Sequence, residues 1–249
     1  MAKQAYVALA AAYNALFMVY TYLSFLSAGD WRALLAIYLL LALYYLAGRA
    51  LLSSLGGPDE LKRRSWLLGL AAALVLSALS LPLALELALA PPARFAALVS
   101  TDSPTSRAAL LFFSAEMVLD LAIGAVDYPA QVHELSGLAH HTAFLLGSWM
   151  TLRHGACGFF LGGALVEVPT LLLAVGSVHR PWRADVAYAL SFFLFRVAYA
   201  LWYTARLALF SGLPAFAAMM AASCCLNLVW FYSTVVALGR RLGAKAPPA

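Results

Sequence analysis

The chain is expected to fold as an all-α, polytopic membrane bundle of about eight transmembrane helices, and three observations predict it. Hydrophobic residues make up 64% of the 249 and charged residues 11%, with a mean hydropathy of +0.86; too little polar surface remains to cover a soluble core. The apolar residues gather in stretches near the ~20 residues that a helix needs to cross the bilayer. Between the stretches lie short connectors, the longest at 56–65, 91–107 and 127–136, each carrying Pro or Gly together with charge.

The first stretch, 5–28, is followed within three residues by the second, 31–55. No short apolar region ends at a cleavage site, so a retained helix is expected rather than a signal peptide. The third and fourth helices are expected at 67–90 and 108–126, and the seventh and eighth at 185–210 and 214–238. The fifth, 137–153, is the shortest. Only Arg153, His154 and Gly155 join it to the sixth, 155–176, which predicts a tight helical hairpin or a partly re-entrant pair. The tail, 243–249, has no core to join and is expected to be disordered.

With alternating sides, Lys3, Arg49, Lys62, Arg63, Arg64, Arg180, Arg183, Arg240, Arg241 and Lys245 fall on the face of the N-terminus, and Arg32, Arg94, Arg107 and Arg153 on the other. The asymmetry predicts that both termini are cytoplasmic. The net charge of +5 is thereby explained by orientation against anionic lipid, and nothing suggests nucleic acid. Cys157, Cys224 and Cys225 lie in apolar stretches, where a thiol acts as a small hydrophobe and no disulfide framework is expected.

Against this background the polar residues inside the stretches stand out: Glu116 and Asp120, His140 and His141, Glu167, Arg196, and Asn227 with Trp230. An ionisable group in hydrocarbon costs roughly 2.5–3.5 kcal/mol on insertion scales, and is retained mainly where it lines a cavity or does chemistry. At 1.5 Å per residue, Asp120 lies roughly 10 Å from the cytoplasmic loop and the histidines roughly 5–8 Å, with Glu167, Arg196 and Asn227 at roughly 14–18 Å. Overlapping depth on five helices predicts one cavity open to the cytoplasmic side.

Each residue also has a structural reading. Glu116 and Asp120 are four apart and share a helix face, and Asp120 is a candidate ion-pair partner for Arg196. Glu167 precedes Val168, Pro169 and Thr170, where a local kink is expected and freed backbone groups need partners. Asn227 and Trp230 fit interhelical packing and hydrogen bonding. Adjacent histidines point about 100° apart on a helix, so one is expected to face the cavity while the other orients it. His133, His154 and His179 fall in loops or at a loop junction and are expected to be solvated.

The run His140-His141-Thr142, then Arg153-His154-Gly155, then a helix with Glu167 at its centre resembles the TRAM/LAG/CLN (TLC) domain family. Asp120 one helix earlier, Arg196 in the penultimate helix and Asn227-x-x-Trp230 in the last extend the resemblance over about 62–242. That organisation implies two N-terminal helices at 1–61, a six-helix TLC-like domain around an intramembrane cavity at 62–242, and the tail. The helix after the histidines reads Gly163-Ala164-Leu165-Val166-Glu167, without the His-Asp-x-x-Asp element of ceramide synthases. The chain is thus closer to the TLC-domain-containing, ceramide-synthase-like branch.

What the resemblance implies is a lipid-metabolism protein of the endoplasmic reticulum, using long-chain acyl-CoA as co-substrate and no cofactor, with membrane lipids as partners and a homodimer as one assembly. His140 or His141 would act as nucleophile or base, since imidazole titrates near neutrality. Asp120 or Glu167 would orient the ring; Glu116, Arg196, Asn227 and Trp230 would bind substrate; and Arg180, Arg183 and Lys62 would meet the CoA phosphates. The competing expectation is a non-catalytic lipid- or cargo-binding protein, which the missing acidic element favours. A retinal protein is excluded because Lys3, Lys62 and Lys245, the only lysines, lie outside the expected spans. A zinc hydrolase would need about three ligands from His140, His141, Asp120 and Glu167, and no metal is expected.

Overall fold

A computed structural model describes residues 2–23, 26–57, 59–132 and 134–243. Residues 244–249 of the expected disordered tail, and His133, lie outside them. Every element among the described residues is helical: α1 (Ala2–Leu23), α2 (Ala28–Leu55), α3 (Glu60–Arg64), α4 (Leu67–Leu89), α5 (Pro92–Val99), α6 (Pro104–Asp127), α7 (His140–Arg153), α8 (Cys157–Gly163), α9 (Val168–Val178), α10 (Asp185–Ser191), α11 (Ala200–Phe210) and α12 (Pro214–Gly243).

Six stretches are long and apolar enough to cross a membrane: Ala28–Leu55, Glu60–Leu89, Pro104–Asp127, Cys157–Val178, Asp185–Phe210 and Pro214–Arg241. These are six of the eight expected. In α1 the apolar stretch is Ala5–Phe17, and α7 has 14 residues, about 21 Å of helix against ~30 Å of hydrocarbon. Large apolar side chains point outward, among them Leu39, Leu43 and Leu46 of α2 and Val229, Tyr232 and Val235 of α12. Such surfaces suit lipid, and the chain is built as a multi-pass membrane protein.

The centre of the bundle is α6. Of its most apolar window 67% is buried, against 11% for α12, and it packs against α1, α2, α4, α7 and α8. The N-terminal pair that the sequence sets apart therefore rests on the same central helix as the rest. A capping box made by Ser103 and Ser106, with Pro104 in the first turn, starts α6; a second, from Ser27 and Asp30, starts α2. These satisfy amide donors that a helix start leaves orphaned. Arg107 then ties the two starts together, donating to Asp30 at 2.9 and 3.0 Å and to Asp102 at 2.6 Å. At the other end of α6, Asp127 accepts from Tyr45 and from Arg64 at 3.1 Å, with Arg49 at 3.5 Å. Both charge clusters sit at helix ends, where polar groups leave the hydrocarbon.

The hairpin between α7 and α8 is as tight as expected. Gly155 turns the chain at φ 61°, a left-handed conformation that glycine adopts at no steric cost. Gly158 then brings α8 against the end of α5: its N–H donates to the Thr101 carbonyl at 2.7 Å, and an added Cβ would stand 2.1 Å from the Leu98 carbonyl oxygen. Gly158→Ala is expected to destabilise the fold by about 1–3 kcal/mol through this overpacking, read as an earlier thermal transition of the purified protein. An unchanged transition would mean that α5 moves freely.

Three helices break their α-helical pattern beside the polar residues. A π-helical segment, Glu134–Ala139, leads into α7; a 3₁₀ turn, Ala164–Glu167, separates α8 from α9; and a π-helical segment, Phe192–Tyr199, separates α10 from α11. The 3₁₀ turn is the kink expected ahead of Pro169, which has no N–H to continue the ladder. Such interruptions frequently mark functional positions.

Candidate functional site

These interruptions surround a cavity of about 420 Å3, walled by α4, α6, α7, α9, α12 and the segment around Arg196. That size falls within the roughly 300–1,000 Å3 of small-molecule sites. His140, His141, Asp120, Glu116, Glu167, Arg196 and Trp230 all line it. Asn227 does not: it is buried on α12 at 3% exposure but stands outside the lining, so its expected contact with substrate is not part of the geometry. His154 packs on Phe216 and His179 on Trp182, both away from the cavity.

Asp120 and His141 form the most constrained pair. His141 Nε2 is 3.1 Å from Asp120 Oδ2, while its Nδ1 is 2.5 Å from the Gly137 carbonyl in the π-helical segment. A carbonyl can only accept, so Nδ1 is the donor in that contact, and Nε2 faces the Asp120 carboxylate. Asp120 Oδ1 accepts from the Tyr128 hydroxyl at 2.7 Å. Burial, and then the Asp120 carboxylate, raise the Tyr128 phenol far above its ordinary range, keeping it a donor. The ring-orienting acid is thus Asp120 and not Glu167.

Glu167 serves Arg196 instead. The guanidinium lies 3.3 and 3.4 Å from the two carboxylate oxygens, donates at 2.7 Å to Thr170 Oγ1 and at 2.9 Å to the Val166 carbonyl, and lies 5.6 Å from the Phe192 ring and 5.9 Å from the Trp230 ring. The Val166 bond satisfies a carbonyl in the 3₁₀ turn, so the kink and the ion pair support each other. The pairing of Asp120 with Arg196 that the sequence allows is therefore replaced by two separate pairs.

His140 is held differently from its neighbour. Its ring packs 4.5 Å from Phe144, 5.7 Å from His141 and 5.9 Å from Trp230, and its Nδ1 is sealed from solvent without a hydrogen-bond partner. Both rings line the cavity rather than one alone: His141 is held at both nitrogens, while His140 has an unpartnered Nδ1. Glu116 is 3% exposed, and its Oε2 also lacks a partner.

At the mouth, exposed Lys62 together with Ser65 and Gln131 lines the opening. Of the expected basic rim Lys62 lines the cavity, while Arg180 pairs with Asp59 at 2.9 Å and Arg183 with Asp185 at 2.8 Å. Tyr128, Thr170 and Gln131 are cavity residues that the sequence did not single out; no periodicity marks them, since Tyr128 and Gln131 follow the end of α6 and reach the cavity only through the turn of the chain. Among the described residues no three His, Cys, Asp or Glu side chains are grouped to hold a metal ion. Neither a family model nor a curated protein nor a solved structure matches the chain.

Proposed function

We propose that the chain is a TLC-like integral membrane N-acyltransferase that uses long-chain acyl-CoA, with His140 as nucleophile. The observation that carries this reading is the unpaired His140 imidazole beside His141, itself fixed by Asp120, inside the cavity. The acyl chain runs along Leu76, Phe113 and Met117, and Lys62 at the mouth meets the phosphates of CoA. The proposal includes eight crossings, with α1 and α7 as the two beyond the six long apolar helices, both termini cytoplasmic, and residence in the endoplasmic reticulum.

A nitrogen lone pair of His140 bonds to the thioester carbon, the C–S bond breaks, and the imidazole proton leaves with the thiolate as free CoA thiol. An amine acceptor then bonds to the acyl carbon, the C–N bond to His140 breaks, and the amine's surplus proton returns to the ring. The His141–Asp120–Tyr128 chain holds the neighbouring ring in one orientation and shares a proton that offsets charge developing at the acyl oxygen.

Purified protein incubated with long-chain acyl-CoA should gain one acyl mass increment. His140→Ala should lose the increment and His141→Ala should slow its appearance. Wild-type protein that neither acylates nor turns over acyl-CoA with sphingoid bases or lysolipids would sink the enzyme reading. The missing acidic element at Gly163 and Ala164 favours a second reading, in which the same cavity holds a lipid without chemistry; stoichiometric lipid retained by protein that never acylates would establish it.

A further inference from the structure

The apolar stretch Asp185–Phe210 carries two arginines inside it, Arg196 and Arg206. Arg196 is answered by Glu167. Arg206 lies on α11 near the end of the bundle opposite Lys62, and among the described residues it has no ion pair. The carboxylates at that end are taken: Glu86 by Arg94, and Asp30 and Asp102 by Arg107. Arg206 is half-buried. Its Nη2 donates to the Ala90 carbonyl at 2.5 Å, where α4 ends, and its Nε is sealed without a partner. The guanidinium carbon stands 4.7 Å from the Phe95 ring, 5.1 Å from Phe210 and 5.7 Å from Trp202. Capping α4 uses one N–H, and the rings carry no net charge, so the cation is still without a counter-ion. An arginine in an apolar stretch is retained where one is found.

Depth says what that counter-ion is. The stretch has 26 residues, roughly 39 Å of helix against the ~40–45 Å of a bilayer with its headgroups. Arg206, about 6 Å from the end of α11 at the same rise, therefore reaches the headgroup layer, where the available anions are lipid phosphates. Beside it α5 buries Phe95 and Val99 and exposes Arg94, the pattern of a short helix lying in the interface. Leu201 and Leu209 are exposed on α11 on either side of Arg206, a surface that suits acyl chains. A guanidinium offers paired N–H donors that match phosphate oxygens. We propose that Arg206, with Phe95, Trp202 and Phe210 around it, binds the phosphate of an anionic glycerophospholipid at the end of the bundle opposite Lys62. The site is separate from the histidine cavity and owes nothing to acyl transfer, so either can fail alone.

Lipid retained by the full chain, purified in detergent and weighed by native mass spectrometry, tests it. The probes are phosphatidylglycerol and phosphatidylcholine with the same acyl chains. Wild-type protein should prefer phosphatidylglycerol by about tenfold, the effect of a charge-assisted hydrogen bond. Arg206→Gln should lose the preference, and Arg94→Gln, at the same end but already paired, should keep it. Inorganic phosphate should displace the lipid no better than chloride of equal ionic strength. A phosphatidylglycerol with a photoreactive diazirine in its head should label wild-type protein on α5 or α11 near Arg206, which decides the matter even if Arg206→Gln does not fold. Equal retention of the two lipids, a preference that survives Arg206→Gln, or labelling confined to the Lys62 end overturns the proposal. Displacement by phosphate alone overturns it too, since the site would then take a free anion and not a lipid.

Discussion

Asp120→Asn is expected to lower acyl-CoA turnover by about 10²–10⁴-fold while leaving the fold intact. The size is that of a positioned group that shares a proton with the reacting site; the amide substitution preserves shape but removes the carboxylate's charge. Here His141 Nδ1 donates to the Gly137 carbonyl and Nε2 faces the carboxylate; an asparagine amide would hold the ring but carry no charge to offset one developing in the cavity. Tyr128 would still donate to the Asn carbonyl oxygen in place of Asp120 Oδ1. Rates of acyl-CoA consumption and acyl-enzyme formation, measured beside an unchanged melting profile, check this. A variant with wild-type rates would show that the His141–Asp120 pair is structural only.

Arg196→Met is expected to destabilise the protein by about 3–5 kcal/mol. Breaking a buried pair leaves the other charge uncompensated, and here the loss also strips the Val166 carbonyl and Thr170 of their donor. Arg196 is 13% and Glu167 20% exposed at the side chain, so the lower part of that range is the better expectation. The double variant Arg196→Met, Glu167→Leu should recover part of the loss, since replacing both partners by apolar groups removes the orphaned charge. Unfolding in graded denaturing detergent, with the double-variant cycle, measures it. If the single and double variants lose the same stability, the pair contributes through packing and not through charge.

The helical membrane class follows directly from the chain, because apolar length is a local property: a run such as 31–55 cannot be anything but a helix in lipid, where every backbone group must be satisfied within its own segment. The kink at Glu167 was equally legible, since Pro169 lacks its donor regardless of neighbours. Depth, too, could be counted along each helix, and that arithmetic brought His140, His141, Asp120, Glu167 and Arg196 within the cytoplasmic half or the midplane before any contact was known. For Asn227 depth did not suffice, because it says nothing about what a side chain packs against: Asn227 is buried on α12 outside the lining of the cavity that Trp230, three positions on, reaches.

Pairing was decided by the tertiary structure. Asp120, Glu167, His141 and Arg196 admit several pairings of acid with base, and the sequence favoured none. Beside the π-helical segment before His140 and the 3₁₀ turn before Val168, Asp120 meets His141 while Glu167 meets Arg196. The π-helical shift arises where packing between helices outweighs the local ladder, and no residue pattern announces it, unlike the 3₁₀ turn that Pro169 signals. Composition and apolar length thus determined that this is a helical membrane protein with polar groups at shared depth. Which imidazole is locked, which is unpaired, and which carboxyl oxygen still lacks a partner depended on contacts between distant helices, whose geometry is set by the packed bundle and not by any one segment.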